Sequence, residues 1–393
     1  MKRTLIFLIE SHLDQRDYIR FGIEYLSGRY KVQILDCTHF VYPRLITQLN
    51  ARIDNGYQYK SILNNRDLAE VSPIGVHGVV IDMLGETVKG NMIRRHVLKN
   101  GGLRVMVIAG KLHFTQAPLL ERLKKLLPNM WRPTAIKRFL AQVARVLDRR
   151  LAPVGPIDLL VHGGIADNDL NGAISVIQAH SFDYDRWHTL PDCGLINKDK
   201  YALFLDEDLA YHPDYDRFGI KPPVKEATYY SAINRFFNEF EQHNGIPVYI
   251  AAHPRSQYSK RPHLWGSRKL LYGQTMEAVN GASQIFIHFS TAISFAILAK
   301  KPLIHLISGE IMKSYLGYQI VGVSKFLNTP LLNIDYELQE NVALQLNLNH
   351  IDISRYQSYK NMYLKSECSV DEPLWEIIAN AAEQHMTQTF GAG

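Results

Sequence analysis

The 393-residue chain has little cysteine and no long apolar run, and both absences narrow the class of protein. Its three cysteines, Cys37, Cys193 and Cys368, lie far apart, and none has a C-x-x-C partner. This spacing excludes a disulfide scaffold or a cysteine zinc site and favours a reducing cytosol. The most apolar stretch, 285–299, spans about 15 residues, whereas a membrane-spanning helix needs about 20. The sequence therefore predicts no transmembrane segment.

The chain also lacks a Walker loop and a G-x-G-x-x-G fingerprint, which argues against an NTPase or a dinucleotide enzyme. Its start, MKRTLIFLIESHLD, imitates a signal peptide, but the apolar run from Leu5 ends at Glu10. A secretory core needs about 7–15 apolar residues, so this run reads better as a buried first strand. With 46% apolar and 21% charged residues, the composition is that of a soluble globular protein. We predict a cytoplasmic location, or a peripheral one on the inner face of the cytoplasmic membrane.

The net charge of +6 is concentrated in one segment. Residues 111–150 hold ten Lys and Arg but only Glu121 and Asp148, a local net charge of +8. Apolar residues recur there at helical spacing, which predicts basic amphipathic helices over 117–151, interrupted by prolines near Trp131. Such helices suit an anionic membrane surface, and an ordinary solvated basic face is the alternative. No motif that reads nucleic acid accompanies the charge, so we expect no nucleic-acid partner.

Short apolar runs alternate with amphipathic segments along the whole chain, as in βα units of parallel sheets. RTLIFLI opens one series, and YALFLDED opens a second near residue 200. We therefore predict two doubly wound parallel-sheet α/β domains, over 1–192 and 193–369. The last helix, within 370–393, is predicted to return to the first domain.

Ligands of open α/β sheets bind beyond the carboxyl ends of strands, and the second series has polar residues at three such ends. The first is Asp206, Glu207 and Asp208, which follow the apolar run of the YALFLDED strand. Because successive strand residues alternate in direction, Asp206 and Asp208 are expected to share a face. A carboxylate there can deprotonate a hydroxyl or act as a nucleophile, and an acidic strand cap without catalytic duty is the alternative.

The other two strand ends carry groups that suit an anion. His253, Pro254 and Arg255 follow the strand IPVYIAA, and imidazole and guanidinium groups can hold a phosphate. Ser290 and Thr291 follow His288 and open a predicted helix, whose first N–H groups can bind an anion. We take these residues, including His288, as candidates for binding a nucleotide-linked donor, with ordinary capping as the alternative.

The order acidic strand end, H-P, then S-T at a helix start resembles bacterial GT-B glycosyltransferases that use CMP-activated ulosonic acids. These are the sialyltransferases and the retaining β-Kdo transferases of surface polysaccharides. The matching stretches are Asp206-Glu207-Asp208, His253-Pro254 and Ser290-Thr291. Leu209 stands where the sialyltransferase motif has glycine.

The resemblance implies a GT-B architecture, in which two Rossmann-like domains face a cleft. It implies transfer of an ulosonic acid, Kdo or a sialic-type sugar, from CMP to a lipid-linked lipopolysaccharide or capsule glycan. Asp206 would be the nucleophile or base, and no metal or other cofactor would be needed. Candidates on the acceptor side are the strand-end residues of the first domain, Glu10, His12, Arg16 and His162.

Two other interpretations remain open. Asp206-x-Asp208 also satisfies the D-x-D pattern with which UDP-sugar transferases hold Mn²⁺ or Mg²⁺. The chain could instead be a non-catalytic polysaccharide assembly factor with a degenerate transferase fold. Dependence on a metal would favour the first, and retained glycan assembly after loss of Asp206 would favour the second.

Overall fold

The computed structural model describes residues 2–43, 57–115, 133–165, 172–189, 200–215, 219–338 and 351–390, with the backbone alone for 133–138 and 390. Contacts divide the chain into two compact units. Unit 1 comprises Met1–Ala109, Ala117–Phe182 and Cys368–Gly393, and unit 2 comprises Gly110–Gln116 and Asp183–Glu367. The unit boundary thus lies ten residues before the boundary drawn from the sequence at 192, and a short piece of the first series belongs to unit 2.

Unit 1 is built on a seven-stranded sheet in which every described pairing is parallel. Its strands are β1 (Thr4–Ile9), β2 (Lys31–Asp36), β3 (Gln58–Ser61), β4 (Val79–Asp82), β5 (Leu103–Ile108), β6 (Ile157–Gly163) and β7 (Ala173–Ala179). Their order is β3-β2-β1-β4-β5-β6-β7, so the direction of winding reverses between β1 and β4. That reversal makes the carboxyl ends of β1 and β4 the topological switch point, where such sheets bind ligands.

Helices cover both faces of this sheet. They are α1 (Gln15–Arg20), α2 (Ile23–Arg29), α3 (Thr38–Val41), α4 (Asn65–Ala69), α5 (Val88–Val97) and α6 (Pro133–Leu151), with α14 (Leu374–Phe390) from the chain end. The indole N–H of Trp375 on α14 donates to the Arg20 carbonyl at 2.7 Å, and its ring packs on Phe7. Gly22, at φ +55°, lies against the same indole, where a Cβ atom would approach it to 2.4 Å. The last helix of the chain therefore belongs to the core of unit 1.

Unit 2 repeats the winding with six strands. They are β8 (Ala202–Leu205), β9 (Val248–Ala251), β10 (Leu270–Leu271), β11 (Gln284–Ile287), β12 (Leu303–Ile307) and β13 (Leu331–Asn333). Their order is β10-β9-β8-β11-β12-β13, again with parallel pairings, so the switch point lies between β8 and β11. The sequence prediction of two doubly wound parallel sheets is confirmed.

The helices of unit 2 complete two apolar layers around its sheet. They are α8 (Glu226–Asn244), α9 (Thr275–Gly281), α10 (Ile293–Leu298), α11 (Gly309–Lys313), α12 (Gly317–Leu327) and α13 (Ile353–Tyr359); α7 (Phe182–Thr189) lies at the unit boundary. The central strands are buried on both faces, which is why they read as continuous apolar runs. In the described part of the chain, no helix combines the length and apolar character needed to cross a bilayer.

β3, β10 and β13 are edge strands, and none has a long apolar run like those of RTLIFLI and YALFLDED. β3 reads QYKS and is only partly buried, and β10 has two residues. An edge strand has a neighbouring strand on one edge only, so it can be less buried than a central strand and needs no apolar run. Of the predicted basic helices over 117–151, the structure describes α6, and residues 117–132 lie outside the described part.

Candidate functional site

The three polar strand ends of unit 2 meet at one edge of the sheet. β8 lies between β9 and β11, and their last residues are paired in register, Leu205 with Ala251 and with Ile287. The chain segments that follow these strands therefore leave the sheet side by side at the switch point. This edge is the candidate site of unit 2.

Asp206 is buried, and its carboxylate is occupied by groups of its own unit. Its Oδ2 accepts hydrogen bonds from the Tyr258 hydroxyl at 2.7 Å and the His253 backbone N–H at 3.1 Å. Its Oδ1 accepts from the backbone N–H of Asp208 at 3.0 Å. Burial raises the pKa of Asp206, and these hydrogen bonds oppose the rise. Asp206 thus fixes the segment after β9 rather than presenting an oxygen to a ligand.

Glu207 points to the other neighbour and spans the switch point. Its Oε1 accepts from the backbone N–H of Phe289 at 2.5 Å, in the segment after β11. Burial raises the pKa of Glu207 to about 8, and the nearby Asp206 adds to the rise. The residue is less buried than Asp206 or Asp208, so it is the most accessible carboxyl of the three. At neutral pH it is mainly a neutral acid, able to donate as well as accept a hydrogen bond.

Asp208 closes the turn after β8 in the left-handed region, at φ +49°. It is buried, and its Oδ1 lies 3.5 Å from the Tyr258 hydroxyl, on the same side as Asp206, as the alternation predicts. Burial and the charge of Asp206 raise its pKa to about 6, while Arg261 opposes the rise. Leu209, which stands where the sialyltransferase motif has glycine, is buried in the core. The residue with positive φ is Asp208, one position before it.

The segment after β9 places His253 and Arg255 partly at the surface, with Pro254 exposed between them. His253 Nδ1 accepts from the backbone N–H of Arg255 at 3.3 Å, which assigns the proton of a neutral ring to Nε2. Its ring centroid lies 4.6 Å from that of His212, and the Arg255 guanidinium lies 3.4 Å from Asp214. Two imidazoles and a guanidinium therefore gather beside the acidic segment.

The segment after β11 begins its helix later than the sequence predicted. Ser290 and Thr291 form a tight turn ahead of α10: Ser290 Oγ accepts from the Ala292 N–H at 3.3 Å, and the Ser294 N–H donates to the Thr291 carbonyl at 3.2 Å. Thr291 is exposed and Ser290 is partly buried. The two hydroxyls remain at the surface of the edge, one and two residues beyond the N–H that Glu207 holds.

His288 lies inside the core and not at the surface. Its Nδ1 lies 2.7 Å from the Leu306 carbonyl, and its Nε2 lies 3.0 Å from the Tyr229 hydroxyl. Burial lowers its pKa to about 4, so the ring is neutral, donates to the carbonyl and accepts from the hydroxyl. Because His288 is 0% exposed, this geometry does not support the predicted direct contact with a nucleotide-sugar donor.

The D-x-D interpretation requires Asp206 and Asp208 to present carboxylate oxygens to a cation. Both are buried, and each oxygen of Asp206 already accepts from a donor of the chain. The carboxylate oxygens of Asp206 and Asp208 are therefore not placed to bind a metal ion. Among the described residues, no group of three or more His, Cys, Asp or Glu side chains is arranged to hold one.

Unit 1 has a second polar cluster at the ends of β1 and β2. His12, after β1, lies with Nδ1 2.5 Å from Oδ2 of Asp36, the last residue of β2. Asp36 also accepts from the backbone N–H and hydroxyl of Thr38, at 2.9 and 2.5 Å, and from the Tyr59 hydroxyl. Burial alone would raise the pKa of Asp36, but these hydrogen bonds hold it at about 2. An ionised carboxylate only accepts, so His12 donates from Nδ1 and its basic nitrogen is Nε2.

The other predicted acceptor-side residues of unit 1 are placed differently. Glu10 Oε2 accepts from the backbone N–H of Gly85 at 2.9 Å, in the loop after β4, and so spans the switch point of this sheet. Arg16, on α1, donates to the adjacent Asp17 at 2.9 Å. His162, near the end of β6, is 1% exposed. Glu10 and His12 thus lie at the edge, whereas His162 belongs to the core.

Sequence reasoning missed two partners that organise these clusters. Asp36 ends the strand KVQILD, and the strand-end rule applied in unit 2 would have found it. Tyr258 contacts Asp206, Asp208 and Tyr230 from a short 3-10 turn, and no pattern in the sequence marks it. The ligand and reaction roles of all these residues stay predictions.

Comparison with known proteins gives the fold. No protein-family model and no curated protein matches the chain. Among solved structures it is similar to CalG4, the calicheamicin glycosyltransferase, at 10% identity and TM-score 0.52 over 99% of both chains. A variant of the wall teichoic acid polymerase TagF is 10% identical with TM-score 0.50, over 100% of this chain and 90% of that one.

A third similar structure is provisionally assigned as a UDP-N-acetylglucosamine 2-epimerase, from Listeria monocytogenes. It is 11% identical with TM-score 0.50, over 100% of this chain and 98% of that one. The fold is therefore that of the GT-B glycosyltransferases, with two Rossmann-like units. Because proteins of this fold differ in reaction, the activity has to be argued from the site.

Proposed function

We propose that the protein is a glycosyltransferase that moves an ulosonic acid, Kdo or a sialic-type sugar, from CMP to a bacterial surface glycan. The observation that carries the proposal is the contact between Glu207 and the Phe289 N–H across the switch point of unit 2. It joins the acidic segment to the segment with Ser290 and Thr291, while Asp206 joins it to the segment with His253. The donor class and the acceptor class rest on the resemblance of these three motifs to the CMP-ulosonic acid transferases.

The donor phosphate binds at this edge. Arg255 and His253 Nε2 supply positive charge and a hydrogen-bond donor on one side, and the hydroxyls of Ser290 and Thr291 supply donors on the other. Glu207, mainly neutral at pH 7, lies next to the hydroxyls and donates to the phosphate instead of repelling it. The leaving CMP is thereby stabilised by groups of the chain, and the proposal needs no metal.

Asp206 is then a positioning residue. A nucleophile needs an oxygen that can reach the anomeric carbon, and both oxygens of Asp206 accept from donors of unit 2. Its carboxylate instead holds the backbone of His253 in the orientation that directs the imidazole and Arg255. Asp208 shares the Tyr258 hydroxyl and supports the same turn.

In unit 1, His12 binds a hydroxyl of the acceptor glycan. Asp36 orients the ring through Nδ1, so Nε2 is the nitrogen that accepts a hydrogen bond or the proton from that hydroxyl. In the transfer, a bond forms from the acceptor oxygen to the anomeric carbon, the bond from that carbon to the phosphate oxygen breaks, and CMP leaves with the electron pair. The proton of the acceptor hydroxyl passes to a base, for which His12 is the candidate in unit 1.

The test is calorimetric titration of the full chain with CMP and with UDP, each with and without Mg²⁺. Binding of CMP without metal, weakened at least tenfold by His253→Asn, is the expected result. The matched control is His263→Asn, an exposed histidine of the same unit that lies beside Asn234 and Asn238 of α8. UDP binding that requires Mg²⁺ would overturn the CMP assignment in favour of the D-x-D transferase.

Absence of binding to either nucleotide would favour the non-catalytic assembly factor. A test in cells distinguishes this outcome from a wrong assignment of the donor. Glycan assembly that persists with His12→Asn and His253→Asn combined would show that the chain acts without catalysis.

A further inference from the structure

Helix α6 is attached to unit 1 by its polar side. Asp148 accepts from Arg95 at 2.9 Å and from the side-chain amide of Asn91 at 2.7 Å, both on α5. Arg149 pairs with Glu86 just ahead of α5. The hydrogen bonds from Arg95 hold the pKa of Asp148 below its usual range, as expected for a formed ion pair. The described contacts between α6 and the unit are therefore polar and charged ones.

The apolar side of α6 is exposed. Asp148 and Phe139 are nine residues apart, which at about 100° per residue puts them on opposite sides of the helix. At this spacing the large apolar residues form a stripe within a sector of about 140° that excludes Asp148. Each is at least 38% exposed: Phe139, Leu140, Val143, Val146, Leu147 and Leu151. Surface helices normally turn such a stripe to the core, so its exposure marks an interaction surface.

The charge of the helix selects the occupant of this surface. α6 contains five basic residues and a single acidic one, Asp148, whose charge is already paired with Arg95. Arg150 lies within the stripe's sector, whereas Arg145 and Arg149 lie on the attached side, where both contact Glu86. A second copy would bring two basic helices together, and the preceding segment, 117–132, is basic as well. An anionic lipid surface satisfies both the apolar stripe and its basic surroundings.

We propose that α6 lies in the headgroup region of an anionic membrane, with its stripe in the acyl boundary, and so docks unit 1 on the bilayer. At 19 residues the helix is about 28 Å long, enough to lie along the interface with all six apolar residues inserted. Docking of this kind needs no spanning segment. It does not depend on the proposed reaction, because it rests on the exposure and the charge of α6 alone.

The test is co-sedimentation of the full chain with vesicles of phosphatidylcholine alone and with about one third phosphatidylglycerol. We expect binding to the anionic vesicles only, and weaker binding as the salt concentration rises. Val143→Asp with Leu147→Asp should reduce it by roughly tenfold or more, because two inserted side chains become charged. Both positions are exposed, so the fold should be kept. The control is Leu63→Asp, which charges an equally exposed leucine elsewhere on unit 1.

Unchanged vesicle binding by the double variant would overturn the proposal, as would equal binding to vesicles of phosphatidylcholine alone. Sedimentation velocity without lipid distinguishes the main rival occupant. A wild-type dimer that the double variant converts to a monomer, together with no vesicle binding, would assign the stripe to a second copy of the chain.

Discussion

The two units place a glutamate across the switch point in the same way but surround it with opposite electrostatics. In unit 1, Glu10 holds the Gly85 N–H, and the neighbouring Asp36 is kept ionised by three side chains, with a pKa of about 2. In unit 2, Glu207 holds the Phe289 N–H, and burial raises its pKa to about 8. One topology therefore carries an ionised carboxylate at one edge and a neutral acid at the other.

The difference follows from the donors that each edge supplies. Asp36 receives hydrogen bonds from His12, Thr38 and Tyr59, enough to outweigh its burial. Glu207 receives backbone hydrogen bonds but lies close to a second buried carboxyl, Asp206. An ionised carboxylate beside a histidine suits proton removal, whereas a neutral acid beside hydroxyls suits an anion. The edge of unit 1 therefore suits a hydroxyl that gives up a proton, and the edge of unit 2 suits a phosphate.

The largest effect should come from breaking the pair in unit 1. His12→Asn should lower the rate of transfer to acceptor by about 10²–10⁴-fold, the range for loss of a general base. Asp36→Asn should lower it too, because the amide no longer stabilises the imidazolium. CMP affinity should stay unchanged in both. The measurement is CMP release from CMP-Kdo or CMP-sialic acid in the presence of acceptor glycan.

The control for that experiment is His39→Asn. The His39 ring lies 5.2 Å from that of His12, and no described hydrogen bond joins it to Asp36. Full transfer by His12→Asn would remove the histidine from the mechanism and return the search for a base to the carboxylates of unit 2.

The next effect concerns the buried aspartate of unit 2. Asp206→Asn replaces one of two accepting oxygens by a donor, so at least one of the three hydrogen-bond donors loses its acceptor. We expect a loss of about 1–3 kcal/mol in the free energy of unfolding and weaker CMP binding. Urea unfolding and calorimetry measure the two quantities. If Asp206 were the nucleophile, Asp206→Asn would keep the stability and the CMP affinity and would abolish transfer. Tyr258→Phe sharpens the comparison, since it removes one donor to Asp206 and leaves the carboxyl in place.

A smaller effect should appear in the pH dependence of donor binding. As the pH rises through about 8, Glu207 ionises next to the phosphate, and CMP affinity should fall by on the order of tenfold. Glu207→Gln should keep the affinity at pH 7 and remove most of this fall. Calorimetric titrations at pH 6.5, 8 and 9.5 measure it. A wild-type affinity that stays level to pH 9.5 would mean that Glu207 does not face the phosphate.

The sequence predicted the large-scale fold because buried parallel strands must be apolar throughout. The runs at β1, β8 and β11 show this directly, and all three are central strands. The edge strand β3 was missed since a strand with one neighbour needs little apolar surface. The candidate site was predicted in part, because the strand-end pattern pointed to Asp206, His253, Ser290 and His12. Whether a strand-end side chain faces solvent or the core depends on contacts far along the chain, as His288 and its partner Tyr229 show.

The smallest effect compares the two carboxylates through stability. The pKa of Asp36 lies below its ordinary value of 3.8, so its stabilisation is complete above about pH 4 and is lost as the pH falls towards 2. The pKa of Glu207 lies above its ordinary value of 4.5, so its contribution is complete below pH 4.5 and declines as the pH rises to about 8. Relative to wild type, Asp36→Asn should therefore lose most free energy of unfolding above pH 4. Glu207→Gln should gain free energy of unfolding steadily between pH 5 and 8. Urea unfolding of the three proteins from pH 3 to 9 measures these differences, in which other titrating groups cancel. If the two differences changed with pH in the same direction, the two edges would not differ in charge, and the division of roles between the units would lose its basis.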